Sequence, residues 1–159
     1  MVHPDHQYDP RIIPQMITPL EKEECDAAFV SWMLGGRPLE GGKPKWKYLA
    51  NIFLTAIENA VFSMYLTENH SGFRAYSRHY LKTVKYHLNS DDFVFDSEII
   101  ARGVIHGMKI KEIPIETRYF DEASQIKFWR SVVYGLSILK TLVKYKLHKK
   151  GIKKFDMFT

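Results

Sequence analysis

The sequence predicts an α/β domain in which a mixed sheet is flanked by helices. Three observations carry this expectation. Stretches with helical apolar spacing alternate along the chain with short runs of strand character. The breaks between them are rich in glycine, proline and polar residues. With 159 residues, 45% hydrophobic and 26% charged, the chain has the length and composition of one domain with a sizeable core.

The elements follow in order. Met1-Val2 reads as the end of a buried strand running into a polar loop, its partner strands missing, so the sheet is expected to begin in mid-course. Asp9 can cap a helix and Pro10 can take its first position. Ile12, Ile13 and Met16 then form one apolar face, and Pro14 is expected to keep that helix short. Residues 27–34, Ala-Ala-Phe-Val-Ser-Trp-Met-Leu, are apolar but for Ser31, the pattern of a buried strand. Residues 35–44 hold four glycines and two prolines, which suggests a mobile loop able to close over a substrate or a plain linker. Over residues 45–67, Trp46, Leu49, Phe53, Ala56, Ile57, Ala60 and Met64 recur at helical spacing, and these aromatics are expected in the core. Residues 72–77 form a short strand or turn, where Gly72 lets backbone approach a ligand closely. A second amphipathic helix spans 93–105, with Gly107 as its C-terminal cap. Residues 108–117 alternate as a strand, 118–125 form a polar loop, and 126–148 form a last helix. There is no internal repeat and no low-complexity tract.

Several classes are disfavoured at once. The apolar runs are too short to span a bilayer, and the start lacks the pattern of a signal peptide. Cys25 is the single cysteine, which excludes an internal disulfide and a cysteine-rich zinc site. A cytoplasmic setting is expected. The formal net charge is +5, and residues 140–154 carry seven lysines and no acid. That tail suits anionic headgroups or phosphates, or is simply a solvated helix end with cations near its C-terminus. Nucleic acid is not an expected partner, because the aromatics sit at core spacing and no nucleic-acid motif is present.

Four constellations bear chemistry. His3, Asp5, Gln7 and Asp9 alternate along a chain leaving a strand end, and such oxygen and imidazole donors suit Mg²⁺ or Mn²⁺. The plainer reading is a polar helix start. In His70-Ser-Gly-Phe-Arg74, a guanidinium beside a glycine turn can clamp a phosphate bidentately, or be a surface arginine. In Asp91-Asp92-Phe-Val-Phe-Asp96-Ser-Glu98, Asp96 and Glu98 lie in the first turn of a helix, whose dipole favours the ionised form. A carboxylate held there can act as general base, whereas Asp91 or Asp92 can serve as a cap. Arg118 opens a loop that ends on Ser124, a candidate cap for the last helix.

Together, in this order and spacing, these segments resemble the family 2 glycosyltransferases of the GT-A fold, in particular enzymes related to dolichyl-phosphate mannosyltransferase and polyprenyl-phosphate glycosyltransferases. The matching stretches are His3-Pro-Asp-His-Gln-Tyr-Asp-Pro10, Ser71-Gly-Phe-Arg-Ala-Tyr-Ser-Arg78, Asp92-Phe-Val-Phe-Asp-Ser-Glu98, Glu112-Ile-Pro-Ile115 and Arg118 through Ser124. The resemblance implies a GT-A-like sheet that lacks the opening βαβ units which bind the nucleotide. Residues 1–125 would be the C-terminal portion of the catalytic domain, and 126–159 an amphipathic helix with a basic tail. It implies an inverting transfer from a nucleotide-diphosphate sugar to an acceptor such as a polyprenyl phosphate. Asp5 would stand at the second acid of the metal motif, His3 in place of the first, and Gln7 as a further ligand, around Mg²⁺ or Mn²⁺. Arg74 and Arg118 would hold the donor phosphates, and Asp96 would be the base with Glu98 as the fallback. Loop 35–44 would be the acceptor flap. The last helix could lie at the cytoplasmic face of a membrane as a peripheral contact, or pack on the core. A different class is also expected to fit: a non-catalytic fragment or membrane-associated subunit that needs another chain for the donor half.

Overall fold

The computed structural model describes residues 8–35, 45–92, 94–115 and 128–158. The expected strand end at Met1-Val2, the metal cluster of His3, Asp5 and Gln7, loop 36–44, and the 118–125 loop with Arg118 and Ser124 lie outside the described residues.

A 3₁₀ turn at Pro10–Ile12, with Asp9 accepting from the Arg11 amide, leads into α1 (Ile13–Glu21). Pro14 does not shorten this helix. It occupies the first turn, where a missing N–H costs nothing, and Pro19 is accommodated further along. Strand β1 (Ala27–Ser31) is followed by α2 (Lys45–Phe62), β2 (Arg74–Tyr76), α3 (Arg78–Thr83), α4 (Phe95–Ile105), β3 (Ile110–Pro114) and α5 (Phe128–Lys149). The result is a mixed α/β arrangement with helices flanking a three-stranded sheet, and no βαβ unit precedes β1 among the described residues.

Strand order is β2-β1-β3, with β1 antiparallel to β2 and parallel to β3. Every residue of β1 is buried, and the period-2 geometry of a strand explains why the run is apolar on both faces from Ala27 to Val30. Ala27 and Phe29 face one core, with Phe62, Tyr80, Ile99, Ile100, Ile138 and Leu142. Ala28 and Val30 face the other, with Met16, Trp32, Phe73 and Ile113. Thus α1 covers one side of the sheet, while α2, α4 and α5 supply the other.

Helix ends are set by local chemistry. Gly107, at φ 71, takes the left-handed position after α4, where its amide donates to the Val104 carbonyl and the Met108 amide reaches back to Gly103. Gly151 repeats this pattern after α5. Helix α3 was not foreseen; Ser77 caps it by accepting from the Tyr80 amide, at 3.0 Å.

One expectation is met only in part. The residues α2 buries are Asn51, Thr55, Glu58 and Phe62, a mostly polar stripe. Leu49 and Phe53 point outward, at 63% and 62% exposure, and Trp46 is exposed as well. Leu54, Ile57 and Val61 still pack against the core, so α2 buries a mixed polar and apolar face and leaves Trp46, Leu49 and Phe53 outside it.

Candidate functional site

The sheet and α4 meet at a buried ion pair. Arg74, on β2, stands opposite Phe29 in the sheet register, and its guanidinium lies 4.6 Å from the centre of the Phe29 ring. Its side chain has no solvent exposure. Nε donates to the Ser71 carbonyl at 2.8 Å, a terminal nitrogen to the Asn69 carbonyl at 2.7 Å, and the other to the Asp96 carbonyl at 3.3 Å. The same nitrogen lies 3.2 Å from Asp96 Oδ1. Burial alone would lower the Arg74 pKa, but Asp96 and Tyr76 outweigh it and hold the guanidinium above its ordinary value. A charge this deep is tolerated because its donors are met and its partner is ionic.

Asp96 is placed by α4, in the first turn as the sequence suggests. Neither Asp91 nor Asp92 caps this helix; Val94 occupies the cap without a side-chain bond. Oδ1 is buried toward Arg74, yet the side chain as a whole keeps 21% exposure. The exposed part of Asp96 therefore lies on the side chain away from Oδ1.

Behind Asp96 lies a carboxyl group that the sequence reading missed. Glu58 of α2 is fully buried and accepts a 2.8 Å hydrogen bond from the Ser97 hydroxyl, next in chain to Asp96. Its other oxygen faces His70 Nε2 at 3.4 Å, while His70 Nδ1 lies 2.9 Å from the Tyr134 hydroxyl of α5. Burial pushes the Glu58 carboxyl up to about 7, although Ser97 and Arg74 act against it. Tyr134 is raised too, chiefly by burial. The groups close a ring: Asp96 to Arg74, Arg74 to the carbonyls flanking His70, His70 to Glu58, and Glu58 to Ser97 beside Asp96.

A second network secures the same segment. Glu68 is buried and accepts from the Trp32 indole and, at 3.0 Å, from the Asn51 amide. Thr55 binds Asn51 at 3.2 Å and accepts from the Asn69 amide at 3.3 Å. Glu112 of β3 accepts from the amides of Thr67 and Glu68 at 2.8 and 3.0 Å. Residues 67–71 are thus stitched to β1, β3, α2 and, through Arg74, to β2 and α4.

The site residues expected from sequence separate accordingly. Arg74 and Asp96 are brought together. Glu98, in the same first turn but turned away from that ring, is 7% exposed, with one oxygen accepting from the Ser90 amide and hydroxyl at 2.7 and 3.1 Å, so it ties down the loop before α4. His3, Asp5, Gln7 and Arg118 lie outside the described residues. Among the described residues no three His, Cys, Asp or Glu side chains group as a metal site.

The chain resembles known proteins over most of its length. It is 30% identical over 143 residues, 90% of this chain, to an uncharacterized protein of Methanocaldococcus jannaschii. It is 26% identical over 145 residues, 91% of this chain, to the UDP-N-acetylglucosamine–dolichyl-phosphate N-acetylglucosaminyltransferase of Methanococcus voltae. It spans 58% and 57% of the lengths of those two proteins. No protein-family model and no solved structure matches the chain.

Proposed function

We propose that this chain is the acceptor-side portion of an inverting family 2 glycosyltransferase of the GT-A type, acting with a nucleotide-diphosphate sugar and a polyprenyl phosphate. The observation that carries this reading is the pairing of Asp96 with Arg74 of the Ser71–Arg78 stretch: a carboxylate in the first turn of α4, gripped on Oδ1 and exposed on its other side. The distant likeness to the Methanococcus voltae enzyme supports it, since that protein is named for a UDP-sugar donor and a dolichyl-phosphate acceptor.

In this proposal Asp96 takes the acceptor proton when the acceptor is a hydroxyl, and orients it when the acceptor is already an ionised phosphate. Arg74 is assigned to hold Asp96, and Arg118 keeps the donor-phosphate role that the resemblance implies. Glu98 is assigned to the loop it binds. His3, Asp5 and Gln7 offer imidazole and hard oxygen donors, a set whose chemistry fits Mn²⁺ or Mg²⁺. Such an ion, when bound, would neutralise the diphosphate leaving group.

A second reading is favoured by one structural feature, the outer edge of β2. Among the described residues β2 pairs with β1 alone, and an apolar groove of about 530 Å³ runs along it between α1 and α3, lined by Ile13, Ile17, Leu20 and Leu81. A sheet that ends there suits a subunit or fragment completed by further chain.

Calorimetric titration with UDP and GDP, each with and without Mn²⁺, separates the two readings. Metal-dependent saturable binding supports the transferase reading, with a donor site assembled even without the opening βαβ units. A folded chain that binds neither nucleotide overturns autonomous donor binding and favours the second reading.

A further inference from the structure

Helix α5 is apolar on two opposite faces. Tyr134, Ile138, Thr141 and Tyr145 recur at helical spacing on the inner face, where Ile138, Thr141 and Tyr145 are buried at 0, 3 and 1% exposure. Val132, Leu136, Leu139 and Val143 recur at the same spacing on the outer face, with Val133 beside them. Of these, Val133, Leu136 and Val143 are 59, 61 and 58% exposed. A surface helix of a soluble domain normally turns charged and polar residues that way.

Charge indicates what covers this face. Residues 128–155 contain Arg130 and seven lysines and no aspartate or glutamate. On a helical projection Lys140 falls within the outer apolar stripe, and Lys144 and Lys146 flank it on either side. Lysine stems can lie along an apolar surface while their ammonium groups reach anionic groups at its boundary. The helix has 22 residues, about 33 Å at the usual rise, but no helix among the described residues is long and apolar enough to cross a membrane. Apolar side chains in a row, cations at their margin and no acidic residue are complementary to the surface of an anionic bilayer, with the helix lying in the interface. A second copy of this chain would bring the same lysines against one another.

We infer that the outer face of α5 docks flat on an anionic lipid bilayer, with Val133, Leu136 and Val143 in the acyl boundary and the lysines at the headgroups. The inner face of the same helix carries Tyr134, whose hydroxyl meets His70 in the ring that ends on Asp96. One helix therefore separates the docked surface from the Asp96 network. That a lipid-linked acceptor reaches Asp96 across this short distance rests on the function proposed above; the docking itself does not.

Co-sedimentation of the purified chain with vesicles tests it without donor or sugar, so its outcome is independent of the transferase reading. Vesicles of phosphatidylglycerol mixed with phosphatidylcholine are compared with phosphatidylcholine alone. Binding is expected to the anionic vesicles, falling as salt is raised. V133E/L136E should weaken it about tenfold or more, and K144E/K146E by about fivefold or more per lysine. Both variants change outward positions, and their circular dichroism and melting should match the parent. Equal partition to both vesicle types, or full binding by a folded V133E/L136E, overturns the proposal. Self-association in analytical ultracentrifugation that V133E/L136E abolishes, with no vesicle binding, overturns it in favour of a contact between copies.

Discussion

Arg74 and Asp96 are 22 positions apart in sequence, yet their side chains meet at 3.2 Å, with the guanidinium wholly buried and the carboxylate partly open. The arginine does not depend on the aspartate alone. It also binds the carbonyls of Asn69 and Ser71, so one side chain fixes both the carboxylate and the segment facing it.

In the transferase reading, Asp96→Asn keeps the size of the side chain and removes its basicity. Transfer to a hydroxyl acceptor should fall by about 10² to 10⁴ while nucleotide binding stays within a factor of a few. Steady-state rates beside a calorimetric titration check this; undiminished turnover removes Asp96 as base.

Arg74→Ala leaves Asp96 and two buried carbonyls without their donor. The expected loss is about 3–5 kcal/mol in urea unfolding. Arg74→Lys retains the charge but lacks the fork that serves three acceptors, so its loss should be intermediate.

Glu58 supplies a pH signature. Its carboxyl is raised from 4.5 to about 7 in the folded state, so the folded protein holds this proton more tightly than the unfolded chain does. The associated stability is complete below pH 4.5 and is lost as the pH rises toward 7, by up to about 3 kcal/mol. Glu58→Gln keeps an acceptor for Ser97 and cannot ionise. Urea unfolding at pH 5 and pH 8 should show the stability difference shifting toward the variant at the higher pH. A constant difference would contradict a raised Glu58.

Gly103 is a packing requirement. A Cβ there would collide with the Tyr80 hydroxyl and come 2.6 Å from its ring carbon, and that hydroxyl donates to the Ile99 carbonyl at 2.8 Å. Gly103→Ala should cost about 1–3 kcal/mol through overpacking and the displaced hydrogen bond. Gly107→Ala meets no neighbour but must hold φ 71, so its cost, about 1 kcal/mol, is conformational. Melting of the two variants separates the mechanisms.

Local chemistry by itself determined much of this protein. The apolar run of β1, the helical spacing of α2, α4 and α5, the cap at Gly107 and the position of Asp96 in a first turn all follow from nearest-neighbour geometry, because side-chain period and left-handed glycine are properties of short segments. Tertiary structure decided the rest. Only the packing of α2 on α5 and on the 67–71 segment shows that its buried face carries Asn51, Thr55 and Glu58, since apolar spacing marks an amphipathic helix without saying which side is covered. Only the register of β2 beside β1 turns Arg74 inward over Phe29. The same holds for the ring of Asp96, Arg74, His70, Glu58 and Ser97, whose members come from separate elements. A buried ionisable group has no local signature; its place is fixed by the partners that make its burial affordable, and those partners are distant in sequence.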